Sequence, residues 1–339
     1  RAAACIVLTY ALVRALAAAL AVLPDVSHRL RLVVTTTPPP RQYTFALFGD
    51  THLWVDSRDR RRWEDRMASL PVRDGLLVNE SNAVVSQLLA EVSEFARAGG
   101  SFGVHLGDAV CGGSNFGQST RDYGASLREY RRLEVAHLGD WPVLHVPGNH
   151  DIDSVRGGMV RWRSTMCANS SGIGRLQCAA TGRAPVNYVS ITLGSWRVLV
   201  LDAQDGLSRD TDGHGLISST QLRWLHAQLE DSASKGERVA LIAHQLLAMP
   251  SSGDDWISPR QDFIRNRRQV MSLLAMYSHI KLSLHGHVHA NSVVKEAGIY
   301  FVTSASASEY PMHWHEVTLS ECAVAIKTHA LQLNQLRML

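Results

Sequence analysis

The sequence predicts an α/β domain in which mixed β-sheets are covered by helices. Three observations predict it. Short apolar runs end again and again in Gly, Asp, Asn or His. The early runs alternate with stretches of helical period, whereas the later ones follow one another as hairpins. The composition supplies the material: 339 residues, 45% hydrophobic and 19% charged, are enough for a large core and exclude disorder or a disulfide-dense mini-protein.

Residues 43–48 read as a short buried strand ending in Gly49-Asp50. Val84, Val85, Leu88, Leu89, Val92 and Phe95 give 82–98 a helical period, stopped by Gly99-Gly100. The run 102–106 is a strand ending in Gly107-Asp108, 127–138 a helix, and 143–146 a strand ending in Pro147-Gly148-Asn149-His150. Gly194-Ser195 joins 188–193 to 196–201 as a two-residue hairpin. Ser219 opens a helix with its core at 221–229, and 238–243 is a strand ending at His244. A helix over 263–277 precedes a strand over 280–284 that ends in His285-Gly286-His287. Short strands at 293–295, 299–303, 316–319 and 323–328 complete the domain.

Residues 2–23 form an apolar run broken by Thr9, Tyr10 and Arg14 and stopped by Pro24. Its length approaches a bilayer span, although Arg14 at mid-run opposes spanning. A signal peptide, a membrane tether and a soluble N-terminal helix remain open for the leader 1–34, so export or membrane attachment stands level with a cytoplasmic location. The Thr/Pro connector 35–40 follows, then one large domain over 41–330 and a tail over 331–339. Cys167 and Cys178 can close a loop disulfide if the chain is exported, and sequons at Asn79 and Asn169 fit export. The balance of 34 basic and 31 acidic residues leaves +3, which gives no strong nucleic-acid signal.

The unusual count is 16 His. Asp50-Thr51-His52, Asp108, Asn149-His150-Asp151, His244 and His287-Val288-His289 each follow a predicted buried strand directly. Ligands in α/β sheets gather beyond the strands' carboxyl ends, so these five loops can converge on one rim. Carboxylate, imidazole and amide oxygen together suit Mn, Fe or Zn rather than an all-oxygen or thiolate site. Glycines at 49, 107, 148 and 286 flank the loops, as expected where backbone must turn or come close to a ligand.

In this order the motifs resemble the calcineurin-like metallophosphoesterases, whose pattern is Asp-x-His, Gly-Asp, Gly-Asn-His-[Asp/Glu], a lone His and Gly-His-x-His. The resemblance implies a four-layer α/β/β/α sandwich of two mixed sheets flanked by helices. It also implies a metallophosphoesterase that hydrolyses a small phosphomonoester or phosphodiester with two divalent ions and a hydroxide activated by them. Asp50, His52 and His289 would hold the first ion, Asn149, His244 and His287 the second, and Asp108 would bridge both. His150 would donate a hydrogen bond or proton to the phosphate or leaving oxygen, and Asp151 would orient His150 or its loop. A non-catalytic interaction scaffold on the same fold is the alternative, but such a scaffold would be expected to have lost a ligand, and here the set is complete.

Departures from the pattern narrow the branch. Purple acid phosphatases carry Tyr three residues after the bridging Asp, where this chain has Cys111. Protein Ser/Thr phosphatases use Asp-Arg-Gly and Gly-Asn-His-Glu, against Cys111-Gly112-Gly113 and Gly148-Asn149-His150-Asp151 here. In many relatives Pro stands two residues after the lone His, where this chain has Leu246. What remains is closest to the cyclic-nucleotide-phosphodiesterase-like and general phosphohydrolase branches. Outside the motifs, His105, His145 and His285 read as supporting or core residues, and His313 and His315 as surface or packing residues. The Arg-rich stretch 154–185 reads first as a solvated insertion and second as a source of a phosphate-binding Arg.

Overall fold

A computed structural model of the chain describes residues 42–55, 81–112, 120–152, 158–167, 187–205, 215–251, 262–321 and 323–332. The leader, the Thr/Pro connector, the asparagines of both sequons, Cys178 and most of the tail lie outside these residues. Among the described residues no helix is long and apolar enough to cross a membrane.

The elements run β1 (Gln42–Phe48), α1 (Ser81–Arg97), β2 (Phe102–His105), α2 (Thr120–Leu138), β3 (Val143–His145), α3 (Asn149–Ile152) and α4 (Gly158–Met166). They continue with β4 (Val189–Leu193), β5 (Trp196–Val200), α5 (Ser219–Ser234), β6 (Arg238–Ile242) and α6 (Arg267–Leu274). The last five are β7 (Ile280–His285), β8 (Ser292–Glu296), β9 (Ile299–Thr303), β10 (His313–Ser320) and β11 (Val324–Ala330). One sheet has the order β11-β10-β1-β2-β3 and the other β4-β5-β6-β7-β9-β8. Both are mixed: β1, β2 and β3 are parallel, as are β5, β6, β7 and β9, while the outer strands pair antiparallel.

The layers follow from side-chain alternation along the strands. In β1, Phe45 and Leu47 point into a core shared with Val104, Leu144, Val198, Val200, Ile242 and Leu284 of both sheets. Ala46 and Phe48 point the other way, against Val84, Leu88, Tyr123, Leu127 and Tyr130 of α1 and α2. On the far side, Leu222, Leu225 and Leu229 of α5 and Val270 and Leu274 of α6 cover Leu199, Val239 and Leu241. The result is the four-layer α/β/β/α sandwich. Each fully buried Leu, Val or Phe contributes on the order of 2 kcal/mol.

Of the boundaries that differ from expectation, three have a cause in named contacts. The helix expected over 263–277 is confined to Arg267–Leu274. Backbone at 262–265 instead bonds across to other segments: Leu246 N to Asp262 O, Ile264 N to Leu246 O and Arg265 N to Gly215 O. Helix α2 begins at Thr120, seven residues before the expected start, because Tyr123 extends the buried stripe of Leu127 and Tyr130 by one turn. The cap of α5 is Ser218 rather than Ser219, its Oγ accepting from Gln221 N at 3.1 Å.

Candidate metal centre

Parallel order decides where the motifs meet. The carboxyl ends of β1, β2 and β3 in one sheet, and of β6 and β7 in the other, share one rim. All nine expected site residues are brought together there. Asp50, His52, Asp108, His244 and Asp151 are buried at 1% exposure or less, so their charges meet protein rather than water.

The seven expected ligands fall into two groups. In the first, His289 Nε2 is 3.4 Å from Asp50 Oδ1 and 3.0 Å from His52 Nε2. In the second, His244 Nε2 lies 3.1 Å from Asp108 Oδ2, 3.1 Å from Asn149 Oδ1 and 3.2 Å from His287 Nδ1. Asp108 stands between them, with Oδ2 also 4.0 Å from His52 Nε2 and 3.9 Å from His150 Nε2. The ligand atoms of Asp50, His52 and His289 lie within 4.8 Å of one another, and so do those of Asp108, His244 and His287, the spacing expected of donors around a shared cation.

The electrostatics fit a divalent cation at both points. Burial works against the charge of Asp50, but the hydrogen bond and charge of His289 hold its carboxyl below the usual range. Asp108 is likewise held well below it by His244 and His150, against the penalty of burial. Burial lowers His244 and His289, yet the carboxylates overcome it: Asp108 raises His244 to about 9, and Asp50 and Glu309 raise His289 to about 10. The cluster thus gathers positive charge next to buried carboxylates, and imidazole, carboxylate and amide oxygen are ligands that Mn, Fe or Zn accept. The residues present fit a dinuclear metal centre.

The backbone is bent to make this possible. Asp50 (φ 50°), His52 (φ 44°), Asp108 (φ 54°), His287 (φ 75°) and His289 (φ 53°) are all left-handed, a conformation that non-glycine residues adopt at a cost and that clusters at functional sites. Two glycines permit the close approach. A Cβ at Gly148 would stand 2.1 Å from Asp108 Oδ1, and one at Gly286 would stand 2.6 Å from Asp50 Oδ2.

Asp151 does not face the metal ligands' side chains. Its Oδ2 accepts from Asp108 N (2.8 Å) and Gly148 N (3.0 Å), and its Oδ1 from Ala109 N (2.8 Å) and Val110 N (3.4 Å). It therefore joins the Asp108 loop to the His150 loop. His150 is oriented by another group: its Nδ1–H donates to the Cys111 carbonyl at 2.7 Å, and its backbone N–H to Asp108 Oδ1 at 2.8 Å.

Three supporting residues escaped the sequence reading. Glu309 Oε2 accepts from His289 Nδ1. Ser306 and Ser308 both donate to the Asp50 carbonyl, at 2.6 and 2.9 Å. Strand β9 is parallel to β7, so its end reaches the same rim; the strand-end rule applied to 299–303 would have flagged the segment that follows.

His105 pairs with Thr51 Oγ1 at 3.2 Å, His145 with Glu134 at 3.0 Å, and His285 with the Gln245 carbonyl at 2.8 Å, all as buried supports. His313 meets Asn291, and His315 is buried between Thr328 and Ser304, which is a packing role. Arg163 is buried and donates to Asn187 Oδ1 at 2.7 Å. Arg156, Arg175 and Arg183 lie outside the described residues. Cys167 is disulfide-bonded.

Comparison with known proteins agrees with the site. A family model for the calcineurin-like phosphoesterases matches residues 43–291. The 3′,5′-cyclic adenosine monophosphate phosphodiesterase CpdA of Escherichia coli K12 is 28% identical over 195 residues, 57% of this chain and 60% of that protein. The CpdA of strain O157:H7 matches to the same extent. The match thus spans about three fifths of these relatives' length. A dimetal phosphatase from Danio rerio superposes with a TM-score of 0.62 at 19% identity, covering 86% of this chain and 96% of that one, which is a likeness of fold.

Proposed function

The chain belongs to the calcineurin-like phosphoesterase family, and from that premise we propose that it is a metal-dependent hydrolase of phosphomonoesters or phosphodiesters. The observation that carries the reading is Asp108, a buried carboxylate between the Asp50–His52–His289 and Asn149–His244–His287 groups. Two bound divalent ions would activate the attacking water and neutralise charge on the phosphoryl oxygens. Asp50, His52 and His289 would hold one, Asn149, His244 and His287 the other, with Asp108 shared. A carboxylate suits the shared position because it offers two oxygens and a negative charge to two cations.

The chain's own residues do the rest. His150 has its Nδ1 proton committed to the Cys111 carbonyl, so a proton on Nε2 makes the ring an imidazolium, a form that burial disfavours and the Asp108 charge and the Cys111 carbonyl favour. That Nε2 lies on the Asp108 side and is the group we assign to donate to the phosphate or the departing oxygen. Asp151 acts on the loops rather than on the substrate. The complete ligand set argues against a non-catalytic scaffold. The relationship to a cyclic nucleotide phosphodiesterase supports a nucleotide diester as one substrate to try first.

The test is metal content and hydrolysis of p-nitrophenyl phosphate, bis-p-nitrophenyl phosphate and 3′,5′-cyclic AMP under Mn²⁺. Asp108→Ala should lose metal and nearly all turnover. His150→Ala should keep metal and lose about 10²-fold or more in kcat, the size of a general-acid contribution. A wild type that binds no metal and turns over no faster than either variant would sink the proposal.

A further inference from the structure

We propose that Glu309 is a positioning residue for the first metal ion, acting through His289. The inference rests on the two-metal reading above. Glu309 lies 18 residues beyond the family match, on the segment that crosses from β9 to β10 and so from one sheet to the other. Its Oε2 accepts the Nδ1 proton of His289, which turns Nε2 toward Asp50 Oδ1 at 3.4 Å and His52 Nε2 at 3.0 Å, the side chains with which it would hold the first ion. A ligand imidazole is commonly fixed in this way: a carboxylate on one nitrogen sets tautomer and ring orientation and makes the other nitrogen a better donor.

The segment is built to hold that carboxylate in place. Ser304 N donates to the His285 carbonyl at 2.9 Å, and Ala305 N to Asn291 Oδ1 at 2.8 Å. Ala307 N donates to the Gly49 carbonyl at 3.2 Å, while Ser306 and Ser308 hydroxyls converge on the Asp50 carbonyl. The crossing segment is therefore bonded to the β1 and β7 loops, which supply Asp50, His52 and His289. Glu309 is itself buried, at 8% exposure. The second group is held by other partners among the described residues, His244 Nδ1 meeting the Leu106 carbonyl at 2.8 Å and none of them being Glu309. His287 Nε2 makes no hydrogen bond among the described residues, and its nearest carboxylate oxygen, Asp262 Oδ1, stands 3.5 Å away. An effect of Glu309 should thus fall on one ion, not both.

The test uses the full chain, stripped of metal and titrated with Mn²⁺ by calorimetry and electron paramagnetic resonance. The wild type should take up two ions. Glu309→Ala should bind one of them about 10- to 100-fold more weakly, and the remaining single-ion spectrum should match that of Asp50→Asn. Glu309→Gln, whose amide oxygen still accepts the Nδ1 proton, should recover part of the affinity. The proposal is overturned if Glu309→Ala binds both ions as the wild type does, or weakens both equally. It is also overturned if the residual spectrum matches His287→Ala, or if Gln is no better than Ala. A wild type that takes up no Mn²⁺ overturns the two-metal reading itself, an outcome distinct from these.

Discussion

Replacing Asp151 with Asn keeps the side-chain volume and removes one acceptor and the charge; burial and Asp108 push this carboxyl up to about 7, so the comparison is made at pH 8, where it is ionised. In the native chain four backbone amides point at this carboxylate: Asp108 and Gly148 at Oδ2, Ala109 and Val110 at Oδ1. An asparagine has one oxygen, so its NH₂ must face one pair. The less damaging choice faces Ala109 and Val110, because Val110 is already distant at 3.4 Å. One strong charge-assisted bond and one weak one are then lost, and the other pair keeps only a neutral acceptor, a total of about 2–4 kcal/mol. For a chain of 339 residues that is a fall in melting temperature of roughly 3–6 °C. Catalysis should suffer through Asp108, whose backbone is released, and a displacement near 1 Å can lower kcat by about 10²-fold. Thermal unfolding followed by circular dichroism, with Mn²⁺-dependent hydrolysis of bis-p-nitrophenyl phosphate, reads both effects. An Asp151→Asn protein that melts with the wild type would refute the bracing argument. If it also lost all turnover, Asp151 would have to act on the reactants directly.

Gly148→Ala should be more severe for metal binding than for the fold. Its Cβ would fall 2.1 Å from Asp108 Oδ1 and 2.4 Å from Asp108 N, so the shared carboxylate must move; metal analysis should find less than two equivalents, and a full complement with normal turnover would contradict the geometry. Stability should also depend on pH through buried histidines. Burial lowers His105 to about 3 and His285 and His315 to about 4, against about 6.5 in the unfolded chain, so the unfolded state binds more protons below pH 6.5. Their contribution is complete above that pH and is lost as pH falls toward 4. The urea midpoint of the wild type should therefore drop between pH 7 and pH 5. His315→Gln, which keeps a polar group between Thr328 and Ser304 but does not titrate, should flatten the drop by about one proton, and a curve parallel to the wild type would dismiss His315 as a contributor.

The strand-end motifs were legible because one local rule covers them. A buried run that stops at Gly-Asp or Gly-Asn-His declares both the strand and the residue placed beyond its end, and parallel order then brings Asp50, Asp108, His150, His244 and His287 to one rim. Non-local pairing was not legible in this way. The apolar residues of 263–277 have a helical spacing, yet Phe263 and Ile264 are taken into bridges with Gly215 and Leu246, partners that no window of sequence contains. Asp151 was legible as part of the site but not in its task, because its partners are main-chain amides and have no residue type. Glu309 is separated from His289 by the whole β8–β9 hairpin, so no spacing joins the two.

These less legible residues explain how the legible ones can hold their positions. Five ligands sit in left-handed backbone, each at a cost of order 1 kcal/mol or more. A cation could offset that cost only after binding, and the loops would then have to be ordered at the same moment. Here they are tied beforehand by groups that are not ligands. Asp151 holds the amides at 108–110 and 148, the hydroxyls of Ser306 and Ser308 hold the Asp50 carbonyl, and the Leu106 carbonyl accepts from His244 Nδ1 at 2.8 Å. The donor atoms are consequently in place without relying on the ions to gather them. Binding then spends little on ordering the chain, and its free energy is left for charge neutralisation at Asp50 and Asp108, two ligand carboxylates that burial penalises.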